Sequence, residues 1–138
     1  MGTFYTWEEA RSQYATGTYR LPTDAEFQEL LDNCDVTQPT RGTLVFTSRI
    51  TNNSITLPAT GSYNDINHNG EYTYYPYYHT DMNLRGGSYY WSSNGADGEG
   101  HRLRWSYNEG YPDDLESPAV VGGGQIWFRY PIRLVKAN

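Results

Sequence analysis

The sequence predicts an α+β domain in which two short helices flank a small, mainly antiparallel twisted sheet with long loops. Helix-capping patterns begin at Thr6 and Thr23, β-branched runs follow Pro39, and polar stretches rich in Gly, Asn and Tyr separate the later strands. The 138 residues match the length of one domain. We therefore expect residues 1–138 to form a single unit.

The first helix is predicted to begin after Thr6. The Thr6 hydroxyl and the Glu9 carboxylate have the spacing of a capping box, in which each accepts a hydrogen bond from the other residue's backbone N–H. The pattern predicts a short helix that ends near Tyr14.

The second helix carries the clearest periodic signal in the chain. Thr23 and Glu26 have the spacing of another capping box. An apolar face at spacing i, i+3, i+4 is formed by Phe27, Leu30 and Leu31. The helix is predicted to end at Asn33.

Two β-branched runs predict a hairpin in residues 42–60. The runs GTLVFTSRI and NSITLPAT meet at Asn52 and Asn53, which are turn-forming residues. Residues 61–83 then show no period, and a loop of that length in a compact domain is usually functional or flexible. We therefore expect a long tyrosine-rich loop after the hairpin.

The segments GGSYYWSS, HRLRWSY and QIWFRYPIRLV predict three further strands. Leu103 and Trp105 alternate with arginines, so one face of the second strand is predicted to be apolar and the other polar. In the first strand, Trp91 is predicted to point into the core. The intervening NGADGEG and NEGYPDDLESP are typical of turns and loops, and Gly122, Gly123 and Gly124 are predicted to introduce the last strand.

The composition argues against a nucleic-acid partner. The net charge is −6 and the ten basic residues are scattered singly, whereas nucleic-acid readers concentrate Lys and Arg on one face. No apolar segment approaches the length of a membrane span, so membrane insertion is not expected. The single cysteine, Cys34, has no partner for an internal disulfide and is predicted to be a buried free thiol.

Three motifs follow one another along the chain: RLPT before the second helix, YWSS in the middle and PIRLV near the end. The matching residues are Arg20, Leu21, Pro22, Thr23, Glu26, Phe27, Leu30, Tyr90, Trp91, Ser92, Ser93, Ile132, Arg133 and Val135. Together they resemble bacterial C-type-lectin-like domains of the Fibrobacter succinogenes major paralogous domain type, found in surface proteins of gut Bacteroidales. The resemblance implies a C-type-lectin-like fold and a ligand-binding role in an adhesin at the cell surface or pilus tip, with a phage virion as the alternative location.

The segment LRGGSYYW and the loop-rich tail behind it are also similar to the variable proteins diversified by retroelements. In those proteins the rewritten residues form the ligand-binding face. This second resemblance implies a variable, ligand-binding part at about residues 86–130. The chain departs from their commonest Gly-Phe-Arg ending, with Phe128-Arg129-Tyr130 in the corresponding region.

The segment DINHNG has part of a calcium-binding pattern. Asp65, Asn67 and Asn69 occupy the first, third and fifth positions and Gly70 the sharp turn, but Pro76 stands where the loop needs a bidentate Glu. The sugar–calcium signatures Glu-Pro-Asn and Gln-Pro-Asp are absent from the sequence. We expect no metal and no other cofactor, and these three side chains are the candidate ligands if calcium binds.

The sequence contains no established catalytic pattern. It has neither a nucleophile elbow nor a phosphate loop, and His68, His79 and His101 lack the spacing of a zinc site. We therefore predict that the chain is not an enzyme. Two alternatives stay open: an enzyme of the formylglycine-generating type, which has a related fold and uses cysteines, and a purely structural fimbrial subunit.

Tyr, Ser, Gly and Asn dominate the later loops, as they do in antibody-like binding surfaces. We predict binding by surface complementarity to a protein or glycan on another cell or host surface, with aromatic and Arg side chains as anchors. The tyrosines on either side of Pro76 are expected to be divided between packing against the domain and facing solvent. The predicted contact residues are Tyr75, Tyr77, Tyr78, Tyr89, Asn94, Asp97, His101, Arg104, Tyr107, Asn108 and Tyr111.

Overall fold

A computed structural model describes residues 4–14, 17–38, 43–66, 70–76, 87–96, 98–108, 111–125 and 127–136; for 64–66, 96, 107–108 and 111–117 it describes the backbone alone. The described part is an α+β arrangement with the helices α1 (Trp7–Tyr14) and α2 (Asp24–Asn33). The described strands are β1 (Tyr19–Arg20), β2 (Cys34–Thr37), β3 (Thr43–Ser48), β4 (Ser54–Pro58), β5 (Ser62–Ile66), β6 (Tyr72–Tyr75), β7 (Ser88–Ala96), β8 (Glu99–Asn108), β9 (Tyr111–Gln125) and β10 (Val135–Lys136).

All strand pairs among the described residues are antiparallel, as predicted, and they form small sheets. The sheet orders are β1-β10, β2-β3-β4, β5-β6 and β7-β8-β9. We call the last of these the main sheet. Because β1 pairs with β10, the segment between the two helices lies beside the last described strand.

Both helices begin at their predicted capping boxes. In α1, the Glu9 amide donates to the Thr6 hydroxyl (3.2 Å) and the Thr6 amide donates to the Glu9 carboxylate (2.9 Å). In α2, the Glu26 amide donates to the Thr23 hydroxyl (3.1 Å) and the Thr23 amide donates to Glu26 Oε1 (2.9 Å). These bonds satisfy amides that have no partner inside the helix, which explains why each helix begins where it does. The predicted end at Asn33 is also confirmed.

Glu26 also makes a two-point ion pair with Arg20, at 2.7 and 2.9 Å. The Arg20 hydrogen bonds, followed by the Thr23 amide, lower the pKa of Glu26 from 4.5 to about 2. Because the folded pKa lies below the unfolded value, the carboxylate stabilises the fold above about pH 4.5 and this contribution is lost as the pH falls towards 2.

We predict that Glu26→Gln lowers the free energy of unfolding by about 1 kcal/mol at neutral pH, since the pair is partly screened by solvent, and that the difference from wild type shrinks in acid. Urea unfolding across this pH range measures it. Glu29→Gln is the matched control, because Glu29 is an exposed residue of the same helix and its loss is expected to change stability by less than about 0.5 kcal/mol. A difference that grows in acid would contradict the pairing.

The predicted hairpin of residues 42–60 is confirmed as β3 and β4, and it gains an unpredicted third strand, β2. Cys34 adopts an extended conformation directly behind α2 and begins this strand. Its thiol is buried and free, as predicted. The chain therefore passes from α2 directly into β2, with no loop between them.

The main sheet has two differently covered faces. On one face, Tyr90, Leu103 and Trp105 pack with Phe27 of α2 and Phe46 of the hairpin. We call this the helix face. The predicted inward position of Leu103 and Trp105 is thereby confirmed.

The opposite face of the main sheet carries a second core. Trp91, whose side chain is 0% exposed, packs there with Trp7, Leu21 and Tyr130. Its indole Nε1 donates to the carbonyl of Tyr5 at 2.7 Å. The predicted inward position of Trp91 is confirmed, so β7 contributes core residues to both faces.

Three secondary-structure predictions for the chain after residue 60 were wrong. Residues 61–83 were predicted as loop, yet β5 and β6 form a hairpin there. The segment NEGYPDDLESP was also predicted as loop, yet it supplies much of β9. Its polar residues follow no strand period, but their backbone groups pair with the edge of β8.

The third error concerns the end of the chain. The three glycines lie inside β9 rather than before a new strand, and the register shift there places two residues of β9 opposite one of β8. Gly123 has a φ of +87°, which suits such a bulge. The following QIWFRYPIRLV is not one strand: Arg129 and Tyr130 make isolated bridges to Tyr63 and Tyr5. Pro131 has no backbone N–H and therefore cannot donate a hydrogen bond to a neighbouring strand.

No described helix is both long and apolar enough to cross a membrane.

Candidate ligand-binding surface

The main sheet separates the predicted contact residues into two groups. Tyr89 and Arg104 are direct cross-strand partners, so they share the face opposite the helix face. Asn94 and His101 instead lie at the start of α2. Tyr75 is half-buried in β6.

The remaining predicted residues are only partly described or not described. Tyr107 and Asn108 lie in β8, Tyr111 in β9 and Asp65 in β5, each with its backbone described and its side chain outside the description. Tyr77, Tyr78, Asp97, Asn67 and Asn69 lie outside the described residues.

The side chain of Tyr89 is the centre of a cluster of aromatic rings and arginines. Its ring stacks on Tyr130 with a centroid distance of 4.6 Å and an interplanar angle of 15°. The Arg102 guanidinium lies over the Tyr89 ring at 4.8 Å and over the Tyr130 ring at 5.7 Å. Arg102 Nη1 also donates to the Tyr130 hydroxyl at 3.0 Å. These contacts fix both side chains in place at the sheet surface.

Tyr130 is the buried support of this cluster. Burial raises the pKa of its phenol well above the usual value of 10, although the Arg102 charge opposes the shift. The hydroxyl therefore stays protonated, and it accepts from Arg102 as a neutral group. The half-buried Tyr89 and Arg102 rest on it and face outward.

The cluster continues to an exposed tryptophan. The ring centroids of Phe128 and Tyr130 are 6.0 Å apart. Those of Trp127 and Phe128 are 4.5 Å apart, in an edge-to-face arrangement. Trp127 is 37% exposed. We call the surface formed by Tyr89, Arg102, Arg104, Trp127 and Phe128 the Tyr89 surface. Sequence reasoning missed Trp127 and Phe128 as surface candidates because it placed them in a continuous strand.

The β5–β6 hairpin borders the Tyr89 surface. The Tyr72 hydroxyl donates to the Trp127 carbonyl at 2.9 Å, and the Arg129 guanidinium lies over the Tyr72 ring at 5.2 Å. Tyr74 is 48% exposed, but its hydroxyl donates to the Thr60 carbonyl at 2.9 Å and so holds the ring against the domain. The tyrosines before Pro76 therefore both anchor the hairpin and present ring area.

Asn94 and His101 join the main sheet to the start of α2. The Asp24 amide donates to Asn94 Oδ1 at 2.8 Å, and Ser92 Oγ donates to Asp24 Oδ1 at 2.6 Å. The other Asp24 oxygen contacts His101 Nδ1. Asp24 therefore links β7 and β8 to α2. The two predicted contact residues Asn94 and His101 thus make contacts that join parts of the fold.

We predict that Asp24→Ala lowers the free energy of unfolding by about 1–3 kcal/mol, because Ser92 is completely buried and its hydroxyl loses the Asp24 acceptor. Asp32→Ala is the control, since Asp32 is an exposed aspartate of the same helix and should change stability by less than about 0.5 kcal/mol. Chemical denaturation compares the two. Equal effects would show that the Asp24 cluster does not stabilise the fold.

Among the described residues, no group of three His, Cys, Asp or Glu side chains is arranged to hold a metal ion. The calcium candidates Asn67 and Asn69 and the side chain of Asp65 fall outside that search. Cys34 packs in the apolar core beside Phe27, Leu44 and Phe46.

No family model, no curated protein and no solved structure matches the chain.

Proposed function

We propose that the chain is a non-enzymatic ligand-binding module, and that it binds its ligand on the Tyr89 surface. The observation that carries this proposal is the combination of partly exposed Tyr89 and Arg102 on a main sheet that two cores hold in place, with the exposed Trp127 joined to them through Phe128 and Tyr130. Tyr, Trp and Arg are the residue types that dominate binding hot spots. Side chains fixed by stacking lose little entropy when a ligand binds.

We further propose that the α+β arrangement is a C-type-lectin-like fold in a bacterial surface or pilus-tip adhesin. The motif residues support this reading, because RLPT precedes α2 and YWSS lies in β7. The segment 86–130, which the resemblance to retroelement-diversified proteins marks as variable, includes β7, β8, β9 and Trp127. The ligand would be a protein or glycan on another cell or host surface.

The two alternatives make different predictions. An enzyme of the formylglycine-generating type would need an accessible reactive cysteine, whereas Cys34 is buried among apolar side chains. Activity on a cysteine peptide that is lost in Cys34→Ser would favour the enzyme over the proposal. A structural fimbrial subunit would bind copies of its own polymer and no separate ligand.

The proposal is tested by screening the purified chain against an array of host glycans and immobilised extracellular-matrix proteins. We predict that Trp127→Ala weakens binding to any hit roughly tenfold or more, as expected of a hot-spot residue. Tyr19→Ala is the matched control, because Tyr19 is an aromatic residue that is 57% exposed on the separate β1–β10 sheet. Equal loss in both variants, or binding to no member of the array, would count against the proposal.

A further inference from the structure

We infer that the Tyr89 surface selects a sugar that carries a single carboxylate. This inference rests on the proposed function and names its ligand class. Its basis is a pair of arginines on one strand, flanked by aromatic rings on one side and by small aliphatic residues on the other.

The sheet register places the two arginines two residues apart on β8 and on the same face of the sheet. Arg104 lies between Tyr89 of β7 and Ala119 of β9, and Arg102 lies between Trp91 and Val121. Cross-strand partners share a face, so both guanidinium groups emerge on the Tyr89 surface. Because Ala119 has a small side chain, it fills little of the space beside Arg104 on the β9 side.

Arg102 has unused hydrogen-bonding capacity. Its Nη1 bonds the Tyr130 hydroxyl, and its Nε–H is buried without an acceptor in the part of the chain that the structure describes. Three other arginines each pair with a carboxylate: Arg20 with Glu26, Arg49 with Asp35 and Arg129 with Glu9. No described carboxylate forms an ion pair with Arg102. A ligand carboxylate would pair with the outward part of the half-buried guanidinium and not with the buried Nε–H, because guanidinium groups bind carboxylates with charge-assisted hydrogen bonds.

The charge of the whole chain limits how acidic the ligand is. At a net charge of −6, a partner with many negative charges is repelled over long range. A ligand with one carboxylate and an otherwise neutral body gains the local arginine contact with little of that repulsion. This favours a monocarboxylate over an acidic peptide segment.

The aromatic rings favour a sugar as the neutral body. The outward side of Tyr89 presents aromatic surface beside Arg102. Phe128 and the exposed part of Trp127 extend this aromatic surface. An aromatic ring has a negative face, and the weakly positive C–H groups on one side of a pyranose ring pack against such a face. A uronic or sialic acid therefore combines both of the chemical groups that this surface can contact.

The test uses matched small probes and NMR. The probes are methyl glucuronoside, its methyl ester and methyl glucoside, together with 3′-sialyllactose and lactose, each titrated into ¹⁵N-labelled chain. We expect the two acids to bind roughly tenfold or more tightly than their neutral counterparts, with shifts at the Trp127 indole. A hexaglutamate peptide should bind more weakly than either acid.

Variants locate the carboxylate. Arg104→Gln and Arg102→Gln should each weaken binding of the acids roughly tenfold and weaken binding of the neutral sugars by less. Arg102 also contacts Tyr89 and Tyr130, so the melting temperature of each variant is recorded. If Arg102→Gln unfolds, the effect of Arg104→Gln alone tests the location of the carboxylate. Arg133→Gln, an exposed arginine outside the Tyr89 surface, should bind as wild type.

Three results would overturn the inference: equal affinity for acids and neutral sugars, tighter binding of hexaglutamate than of the sugars, or no binding of any of these probes at millimolar concentration. Each of these leaves the proposed function standing if the array yields a ligand whose binding needs Trp127. Loss of binding in Arg133→Gln equal to that in Arg104→Gln would likewise contradict the assigned location.

Discussion

Trp91→Ala is expected to lower the free energy of unfolding by about 3–5 kcal/mol, the usual range for removing a large buried aromatic side chain. Trp91 is completely buried, lies 4.3 Å from the Tyr130 ring and donates its indole N–H to the Tyr5 carbonyl. The substitution therefore creates a cavity and also removes one of the two hydrogen bonds that the Tyr5 carbonyl accepts, the other coming from the Tyr130 amide. Domains are typically stable by only about 5–15 kcal/mol, so the variant should be close to unfolding.

Urea unfolding followed by circular dichroism measures this loss without relying on tryptophan fluorescence. Trp127→Ala is the matched control, because it makes the same chemical change at a partly exposed site. We expect Trp127→Ala to cost about 1 kcal/mol or less. Similar costs at the two positions would mean that Trp91 is not a core residue.

Gly100→Ala is expected to destabilise the fold by about 1–3 kcal/mol or more through overpacking. A Cβ at Gly100 would lie 2.5 Å from both Cγ and Cδ1 of Trp7. The indole of Trp7 would have to move, and it would then lose its 3.0 Å hydrogen bond to the Ser92 carbonyl. This glycine is thus required by the close approach of α1 to the main sheet.

Gly122→Ala is the matched control for Gly100→Ala. A Cβ at Gly122 would have its nearest neighbours at 3.5 Å, in the His101 ring, which is an ordinary contact distance. Thermal unfolding of the two variants should therefore show a clear fall in melting temperature for Gly100→Ala and little change for Gly122→Ala. The reverse order would contradict the packing of α1 on this sheet.

Local signals in the sequence predicted the local parts of the fold. The capping boxes at Thr6 and Thr23 act over three residues, so the helix starts were readable without tertiary information. The β3–β4 hairpin was readable for the same reason. The inward positions of Leu103 and Trp105 followed from strict alternation in β8.

Long-range pairing could not be predicted in the same way. The first half of β9 has loop composition and becomes a strand because it pairs with the edge of β8. The β5–β6 hairpin has tyrosines on both of its faces, so it shows no polar–apolar alternation. Trp127 was missed as a surface residue because long-range bridges shape its segment. Arg129 pairs with Tyr63 and Tyr130 pairs with Tyr5, and the partners lie far apart in the sequence.

The candidate site was partly foreseen. Tyr89 and Arg104 were predicted contact residues, and the register places them together. Asn94 and His101 were grouped with them by proximity in sequence, but a register shift in β7 and the Asp24 contacts place them at α2. A single strand can thus serve the proposed binding surface on one face and the helix junction on the other.

The most direct test of the central proposal is hydrogen–deuterium exchange of the chain with and without the tightest-binding member of the glycan and matrix-protein array. Binding on the Tyr89 surface predicts slower exchange in peptides that cover residues 87–96, 98–108 and 127–130, with no change in the hairpin of residues 43–58. Protection of residues 43–58, with the Tyr89 surface unchanged, would contradict the proposal and place the ligand elsewhere on the domain.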